Sequence, residues 1–584
     1  TSLRSLTLSV HQVADLSPLN ALQNLHSLRV VGKGLHDLTP IRSLAKLQSL
    51  IISSTNVADL TPVQELVDLR TLSIRSTKVG DLRPIAGLLK LESLDASATE
   101  IADITPIRRL TSLKALNICS TKVRDLSPIS ALINLESLDL SHTEISDLRP
   151  LAELVRLESL DIQSTDVADF VPLSALVRLH TLAAKDTQVE DLSPLSSLFS
   201  VRALDLSNTN VSELVPISAL ARLTILRLSG TRVSDLTPIA SLPILYDLTA
   251  SGCPLHDIPH ALIEHPVLRS LILHGVHIPR IPSEALSQGP GDSCLASLRA
   301  HIADLKAGAI ALRDTKLFVL GNGCVGKTQL GRRLRGEPFE DHWDSTHGLR
   351  IGTASLSTPD GAVRLNLWDF GGQDIYLSTH ALFLKSRAIV LIAWTTDTEN
   401  DQTTTHDGIS FRNHRLPYWR TYARLQAPDA PLLLVQTKCD TPDKDRWELP
   451  LSLGALSGAP YLKVLQTSAA NDRGLNALKE ALSEALTQLY RHGLPVIGAG
   501  RFRVLRTLEE WRDADAKLPP PRRKHRLLTQ QAFRALCAQA GGVSSPHEFL
   551  SFLHNAGLVF YRPGFLGARI VLDQQWALDA IYAV

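Results

Sequence analysis

Eight consecutive residues near the middle of the chain have the make-up of a phosphate cradle: Gly321-Asn322-Gly323-Cys324-Val325-Gly326-Lys327-Thr328. In the pattern Gly-x-x-x-x-Gly-Lys-Thr, glycines let successive backbone N–H groups turn inward on phosphate oxygens where a helix begins. The lysine ammonium then bridges the outer phosphates, and the threonine hydroxyl holds magnesium. The flanks suit this chemistry. "KLFVL" (316–320) has the pattern of a buried strand, and "TQLGRRL" (328–334) can open a helix. All eight residues are therefore expected to contact nucleotide phosphates, with Lys327 at the reacting end.

Three later segments bear on which nucleotide is held. "NLWDFGGQD" (366–374) ends a strand-like run with Asp369-Phe370-Gly371-Gly372-Gln373, and "LLLVQTKCD" (432–440) ends another with Thr437-Lys438-Cys439-Asp440. A carboxylate accepts two donors at once, and guanine offers N1–H and its exocyclic amine side by side, whereas adenine has no such pair. "LQTSAAND" (465–472) then supplies Ser468-Ala469. The steps of 42 residues from Lys327 to Asp369, 71 to Asp440 and 28 to Ser468 suit one domain. In this order, each after a strand, the segments resemble the motifs of Ras-like GTPases. The resemblance implies that Asp369 meets magnesium through water, that the Gly372 amide meets the last phosphate and that Gln373 orients the attacking water. It implies too that Thr437, Lys438 and Asp440 read guanine, with Ser468-Ala469 packed on its oxygen. "DSTHGLRIGTASL" (344–356) resembles the family's threonine ahead of a glycine and a strand. That makes Thr346 the further magnesium ligand beside Thr328 and Asp369, with Ser345 its near competitor, and Lys327, Thr346 and Gln373 the catalytic set.

The residues ahead of this region keep a different rhythm. Eleven prolines from Pro18 to Pro238 each fall 22 residues after the last, in units such as "LESLDLSHTEISDLRPLAELVR" (135–156). This resembles a leucine-rich repeat, in which one short strand and one tight turn per unit cannot bury their leucines alone but form a continuous core when stacked. Where Ser or Thr precedes the proline, as in Ser127-Pro128, the pair suits an N-cap followed by a first helical position. The ladder position usually held by Asn is Thr55, Thr77, Thr99, Thr121, Thr143, Thr165, Thr187, Thr209 and Thr231, whose hydroxyls can satisfy turn backbone. The strands should line a concave face with one variable column that contains Asp95, Asp139, Asp161 and Asp205. That column reads either as a solvated face or as a groove for a basic partner or another domain of the chain.

Composition narrows the remaining choices. With 60 basic against 59 acidic side chains, net charge gives no reason to expect a nucleic-acid or membrane-surface binder. The apolar run "AIVLIAW" (388–394) is far short of the ~18 residues that span a bilayer. Six scattered cysteines without a Cys-x-x-Cys pair read as reduced thiols of a cytoplasmic protein. The chain starts at Thr1 and holds no methionine, which gives it the look of a fragment. The unbroken periods argue that nothing is missing inside the repeats.

"WDFGGQDIYLSTHALFL" (368–384) and "NHRLPYWR" (413–420) resemble the Roc domain of Roco proteins. "LLTQQAFRALC" (527–537), "FLSFLHNAGLVFY" (549–561) and "IVLDQQWALDAIYAV" (570–584) resemble the first half of the COR domain that follows it there. With no kinase signature, the chain resembles a bacterial-type member. The expected architecture is α/β: a leucine-rich-repeat solenoid over 1–283, a connector with a helix over 284–313, a Ras-like P-loop GTPase domain over 314–492, and a partial α+β COR domain over 493–584. The basic loop "LPPPRRKHR" (518–526) reads as a solvated connector. The resemblance implies a guanine-nucleotide switch that hydrolyses GTP slowly with Mg2+ and passes its state to COR and the repeats, as a homodimer through COR in the longer protein. The rival readings are a repeat-bearing ATPase of the innate-sensor type and a nucleotide-binding adaptor that does not hydrolyse.

Overall fold

Each 22-residue period contributes a short strand whose central leucine has nowhere to go but inward. In the computed structural model these strands, β1 (Ser5–Ser9) to β13 (Ser270–Ile272), pair in parallel and in sequence order as one 13-stranded sheet. Leu28 lies opposite Leu50 and Leu50 opposite Leu72, all fully buried, so the register is the sequence period itself. The last step lengthens to 23, Asp247 opposite Ser270, where the repeat loosens. The structure describes the whole chain except residues 1–2, 10–14, 342–348, 359–360, 372–387, 407–408, 428–429, 446–460, 492, 520–521, 557, 562–568 and 574–584. It divides into two compact units, Thr1–His277 with Gly289–Leu295, and Ile278–Gln288 with Ala296–Val584.

The ladder threonines close the turns of the first unit. Each donates its hydroxyl to the carbonyl three residues earlier, as Thr55 to Ile52 (2.9 Å) and Thr231 to Leu228 (2.7 Å). The residue before each is left-handed, as at His142 (φ 55°) and Gly230 (φ 70°). The expected Ser/Thr caps are corrected. In the 3-10 turn Ser127–Ala131 the cap position is Leu126, which offers no side-chain bond. Asp125 instead accepts the Ser127 N–H at 2.8 Å, and Asp37, Asp59, Asp103 and Asp147 do the same one or more repeats away. A short carboxylate reaches the N–H two residues ahead and mimics a turn, which a residue inside the turn cannot do.

The concave aspartates are also more than a solvated column. Asp139 and Asp161 face each other in register and are half-buried. Asp139 accepts the Ser141 N–H (3.0 Å) and the Asn117 amide (2.9 Å), and Asp161 accepts the Gln163 N–H (3.0 Å). These carboxylates turn the chain out of its strands. Burial, with Asp139 alongside, raises the Asp161 carboxyl above its ordinary value.

In the second unit a six-stranded sheet runs β16 (Leu349–Thr358), β17 (Gly361–Phe370), β15 (Asp314–Leu320), β18 (Ala388–Trp394), β21 (Leu432–Gln436), β22 (Leu462–Gln466), with β16 antiparallel and the rest parallel. Both faces are covered, so alternate residues enter two cores. Leu317, Val319, Ile389 and Leu391 pack against α3 (Lys327–Leu334) and α6 (Leu475–Leu489). Phe318, Leu320, Val390 and Ile392 pack against α5 (Leu416–Gln426) through Leu416, Trp419 and Ala423. This is the sheet of a Ras-like P-loop GTPase fold. Helices α7 (Ala499–Ala516), α8 (Gln530–Ala540) and α9 (Pro546–Asn555) enclose a third core around Val504, Phe533, Phe549 and Leu553.

The helix expected over 294–308 is present as α2 (Leu295–Lys306). Its Asp304 is buried in an ion pair with Arg501 of α7 and accepts the Ser544 N–H at 2.6 Å. The basic loop is less solvated than expected. Arg523 pairs with Asp573 at 3.0 Å, and His525 stacks on Trp511 with ring centres 4.8 Å apart. Among the described residues no helix is long and apolar enough to cross a membrane, and all six cysteines are free.

Candidate nucleotide-binding site

The site is assembled from loops at the carboxyl ends of the parallel strands of the six-stranded sheet. β15 is buried almost throughout and delivers Gly321 (φ 135°), where an added Cβ would lie 2.1 Å from the Ala393 carbonyl of β18. Only glycine passes there. Gly326 (φ 91°) turns the chain into α3, so the loop's N–H groups gather at a helix N-terminus.

Lys327 lies buried across the loop, donating to the carbonyls of Gly321 (2.9 Å) and Asn322 (2.6 Å). Burial lowers its ammonium to about 8, against the pull of Asp369. Asp369, at the end of β17, is buried too, and burial raises its carboxyl while Lys327 and Thr328 hold it down. Its Oδ2 accepts from the Thr328 hydroxyl at 2.6 Å. Its Oδ1 is buried and has no hydrogen-bond partner among the described residues. An orphaned carboxylate oxygen beside a hydroxyl is the hard oxygen set that magnesium takes, with further places filled by phosphate and water. The residues present thus fit the metal. Among the described residues no group of three or more His, Cys, Asp or Glu side chains is placed to hold a metal ion by itself. Arg350 of β16 stands opposite Asp369 in register.

Asp440, past the end of β21, is bonded on both carboxylate oxygens. Ser468 donates to one carboxylate oxygen at 2.7 Å and Lys444 reaches the other at 3.2 Å. The Ser468 bond above all keeps the Asp440 carboxyl low, so it is ionised and acceptor-only near neutrality. Asn471 donates to the Asp440 carbonyl at 2.8 Å, and Arg473 to that of Cys439 at 3.1 Å. Thr437 turns inward. Its hydroxyl bonds the Val325 carbonyl inside the phosphate loop and the Trp394 carbonyl (3.2 Å). Lys438 is exposed in left-handed backbone (φ 59°), and Ala469 is half-buried next to Ser468.

The structure therefore brings Gly321 to Thr328, Asp369, Thr437, Lys438, Asp440, Ser468 and Ala469 to the carboxyl ends of the sheet's parallel strands. Thr346, Ser345, Gly372 and Gln373 lie outside the described residues. Lys444, Asn471 and Arg473 were not anticipated. Of these, Lys444 had a signal in its spacing of four from Asp440. The side chain of Asn322 bonds His414 and Trp419, a link nothing in the sequence announced.

Residues 316–440 match the family model described as "Ras of Complex, Roc, domain of DAPkinase". The chain is 25% identical over 364 residues to a Roc-COR-CHAT protease of an unknown prokaryotic organism, covering 59% of this chain and 32% of that protein. It is 24% identical over 349 residues to the probable serine/threonine-protein kinase pats1 of Dictyostelium discoideum, covering 54% of this chain and 10% of the kinase. It thus spans a third or less of the length of these relatives. Among solved structures it is similar to Methanosarcina barkeri Roco2 RocCORdC bound to GDP, at 24% identity and a TM-score of 0.37, over 47% of this chain and 77% of that one.

Proposed function

We propose that this chain, which belongs to the Roco proteins and carries leucine-rich repeats ahead of its Roc domain, is a guanine-nucleotide switch that hydrolyses GTP. The observation that carries the reading is the Thr437 hydroxyl on the Val325 carbonyl, because it joins a phosphate cradle and a base reader into one site. Backbone N–H groups of 321–326 and Lys327 hold the phosphates. Asp440, set by Ser468, accepts from guanine. Magnesium, held by Thr328 and Asp369 with Thr346 as the expected further ligand, supplies charge neutralisation when bound. Gln373, at the end of the Asp-x-x-Gly sequence, orients the attacking water, and positioning of this kind is most of what a protein contributes to phosphoryl transfer.

The same reading takes 1–283, 284–313, 314–492 and 493–584 as repeat, connector, Roc and first-half COR segments of a cytoplasmic protein. COR forms the homodimer contact, and the concave repeat face docks a partner or another part of the chain. The test of the core claim is calorimetry with GDP, GTP and ATP. GDP and GTP should bind with magnesium and ATP should not compete. Lys327→Ala should abolish tight binding with the fold intact. Equal ATP binding, or unchanged affinity in Lys327→Ala, would remove the guanine-nucleotide assignment.

A further inference from the structure

A phosphate loop binds through its backbone N–H groups, so the side chain at its second residue has no required part in the contact. Asn322 nevertheless buries that side chain to 1% exposure and uses each of its polar atoms. Its Nδ2 donates to the His414 carbonyl at 2.8 Å. Its Oδ1 accepts the His414 N–H at 2.9 Å and the Trp419 indole N–H at 3.1 Å. Its own backbone carbonyl meanwhile accepts from Lys327 Nζ at 2.6 Å. One residue therefore touches the phosphate-binding lysine on one side and the start of α5 on the other.

The far side of this contact is rigid. The Leu416 N–H at the start of α5 donates at 2.8 Å to Glu399, a buried residue of the short helix α4 (Thr396–Asn400), which is fixed by a capping box at Thr395 and Thr398. Trp419 is 2% exposed and packs edge-on against His414, Tyr418 and Tyr422 with ring centres 5.6–6.1 Å apart. The indole is held by its ring as well as its N–H, so its direction is set before Asn322 meets it.

We propose that Asn322 is a positioning residue for the phosphate site. Its amide clamps the loop to α5 through the His414 backbone and the Trp419 indole, so that the loop N–H groups and Lys327 are in place before nucleotide arrives. Preorganised donors lose less on binding, and the gain shows mainly in slower release. The inference rests on the guanine-nucleotide reading above. It adds to that reading a fixed point, the α5 start, against which the loop is held.

The test uses the full chain loaded with mant-GDP and chased with excess GDP, together with thermal unfolding of each nucleotide-free form. Asn322→Leu keeps the volume and removes all three bonds, and it should release mant-GDP at least ~10-fold faster than the parent. Trp419→Phe keeps a ring and both His414 bonds, and its release should be roughly threefold faster. A purely structural amide would lower the unfolding temperature and leave release from folded protein at the parent rate. That outcome overturns the clamp while the guanine reading stands. A parent that takes up no mant-GDP overturns both. Should Asn322→Leu fail to fold, Trp419→Phe decides, and release at the parent rate overturns the proposal.

Discussion

Two carboxylates in the site are put to opposite uses by their surroundings. Asp369 is buried with one oxygen unpartnered among the described residues and its carboxyl raised, a site that gains by receiving a cation. Asp440 is accessible, hydrogen-bonded by Ser468 and kept ionised, a site that gains by receiving neutral donors. Lys444 reaches the other Asp440 oxygen at 3.2 Å, and at half exposure that pair is weak enough to be displaced. Asp440→Asn turns an acceptor into a mixed donor and acceptor. It should lower GDP affinity at least ~10-fold, about 1.4 kcal/mol, and favour xanthine nucleotides, whose corresponding edge carries an oxygen. Competition between GDP and XDP checks this, and unaltered GDP affinity would mean that Asp440 does not read the base. Gln373→Leu should keep GTP affinity within roughly threefold and slow single-turnover hydrolysis at least ~10-fold. Equal rates would place the attacking water on another group. The placement of the glycines, Lys327, Thr328 and Asp440 was legible because each belongs to a local pattern after a strand. Asn322 with Trp419 was not, since 97 residues separate them and only the packing of α5 on the sheet brings them together.

At the scale of elements, the repeats show how much a period can tell and where it stops. Strand register and buried leucines follow from a 22-residue step, because parallel neighbours must align like with like. The caps did not follow. Sequence placed them on the Ser or Thr before proline, whereas Asp125, Asp147 and their equivalents reach the turn from two residues upstream. Both residue types favour caps, and backbone geometry chose between them. The helix α2 was legible by its spacing, but its chemistry was not, because Asp304 meets Arg501 across 197 residues. One turn earlier on α2, His301 is fully buried, and neither ring nitrogen is hydrogen-bonded among the described residues. Burial, with Arg501 adding and Asp304 opposing, lowers it from 6.5 to about 4. A histidine whose folded value is depressed contributes no penalty above its unfolded value. Below that, the unfolded chain binds the proton first and stability falls until the folded value is reached. His301→Leu removes this dependence and an unmade pair of bonds. Between pH 7 and pH 5 the parent should therefore lose about 2 kcal/mol more stability than the variant, read as the difference in urea midpoints. Parallel losses in parent and variant would show that His301 is reached by water in the folded protein.

At the scale of the molecule, the chain buries apolar surface in two ways, by stacking identical turns in one unit and by covering both faces of a sheet in the other. In the second unit the sheet is referenced to the COR-like helices by charge as well as by packing. Glu509 of α7, with its side chain 6% exposed, holds Arg364 of β17 at 2.8 Å and Arg506 at 2.6 Å. Arg506 in turn reaches Asp314 of β15 at 3.0 Å. β15 runs directly into the phosphate loop and β17 ends in Asp369, so the two strands that carry the phosphate chemistry are anchored to one helix. Exposed pairs in the repeats, such as Arg42 with Glu65 at 60% and 48% exposure, contribute little beside this, because water already solvates both charges. Removing Glu509 takes a shared, buried partner from Arg364 and Arg506, which are less than a third exposed, and costs about 1–3 kcal/mol. Glu509→Ala should therefore lower the unfolding transition that rises when GDP is added, since ligand binding marks the unit that holds the site. Glu65→Ala should move no transition by more than ~0.5 kcal/mol. Calorimetric scans of both variants with and without GDP read this directly. If Glu509→Ala leaves the GDP-responsive transition where it stands in the parent, α7 does not unfold together with the strands that carry the site, and the network is a surface contact with no hold on them.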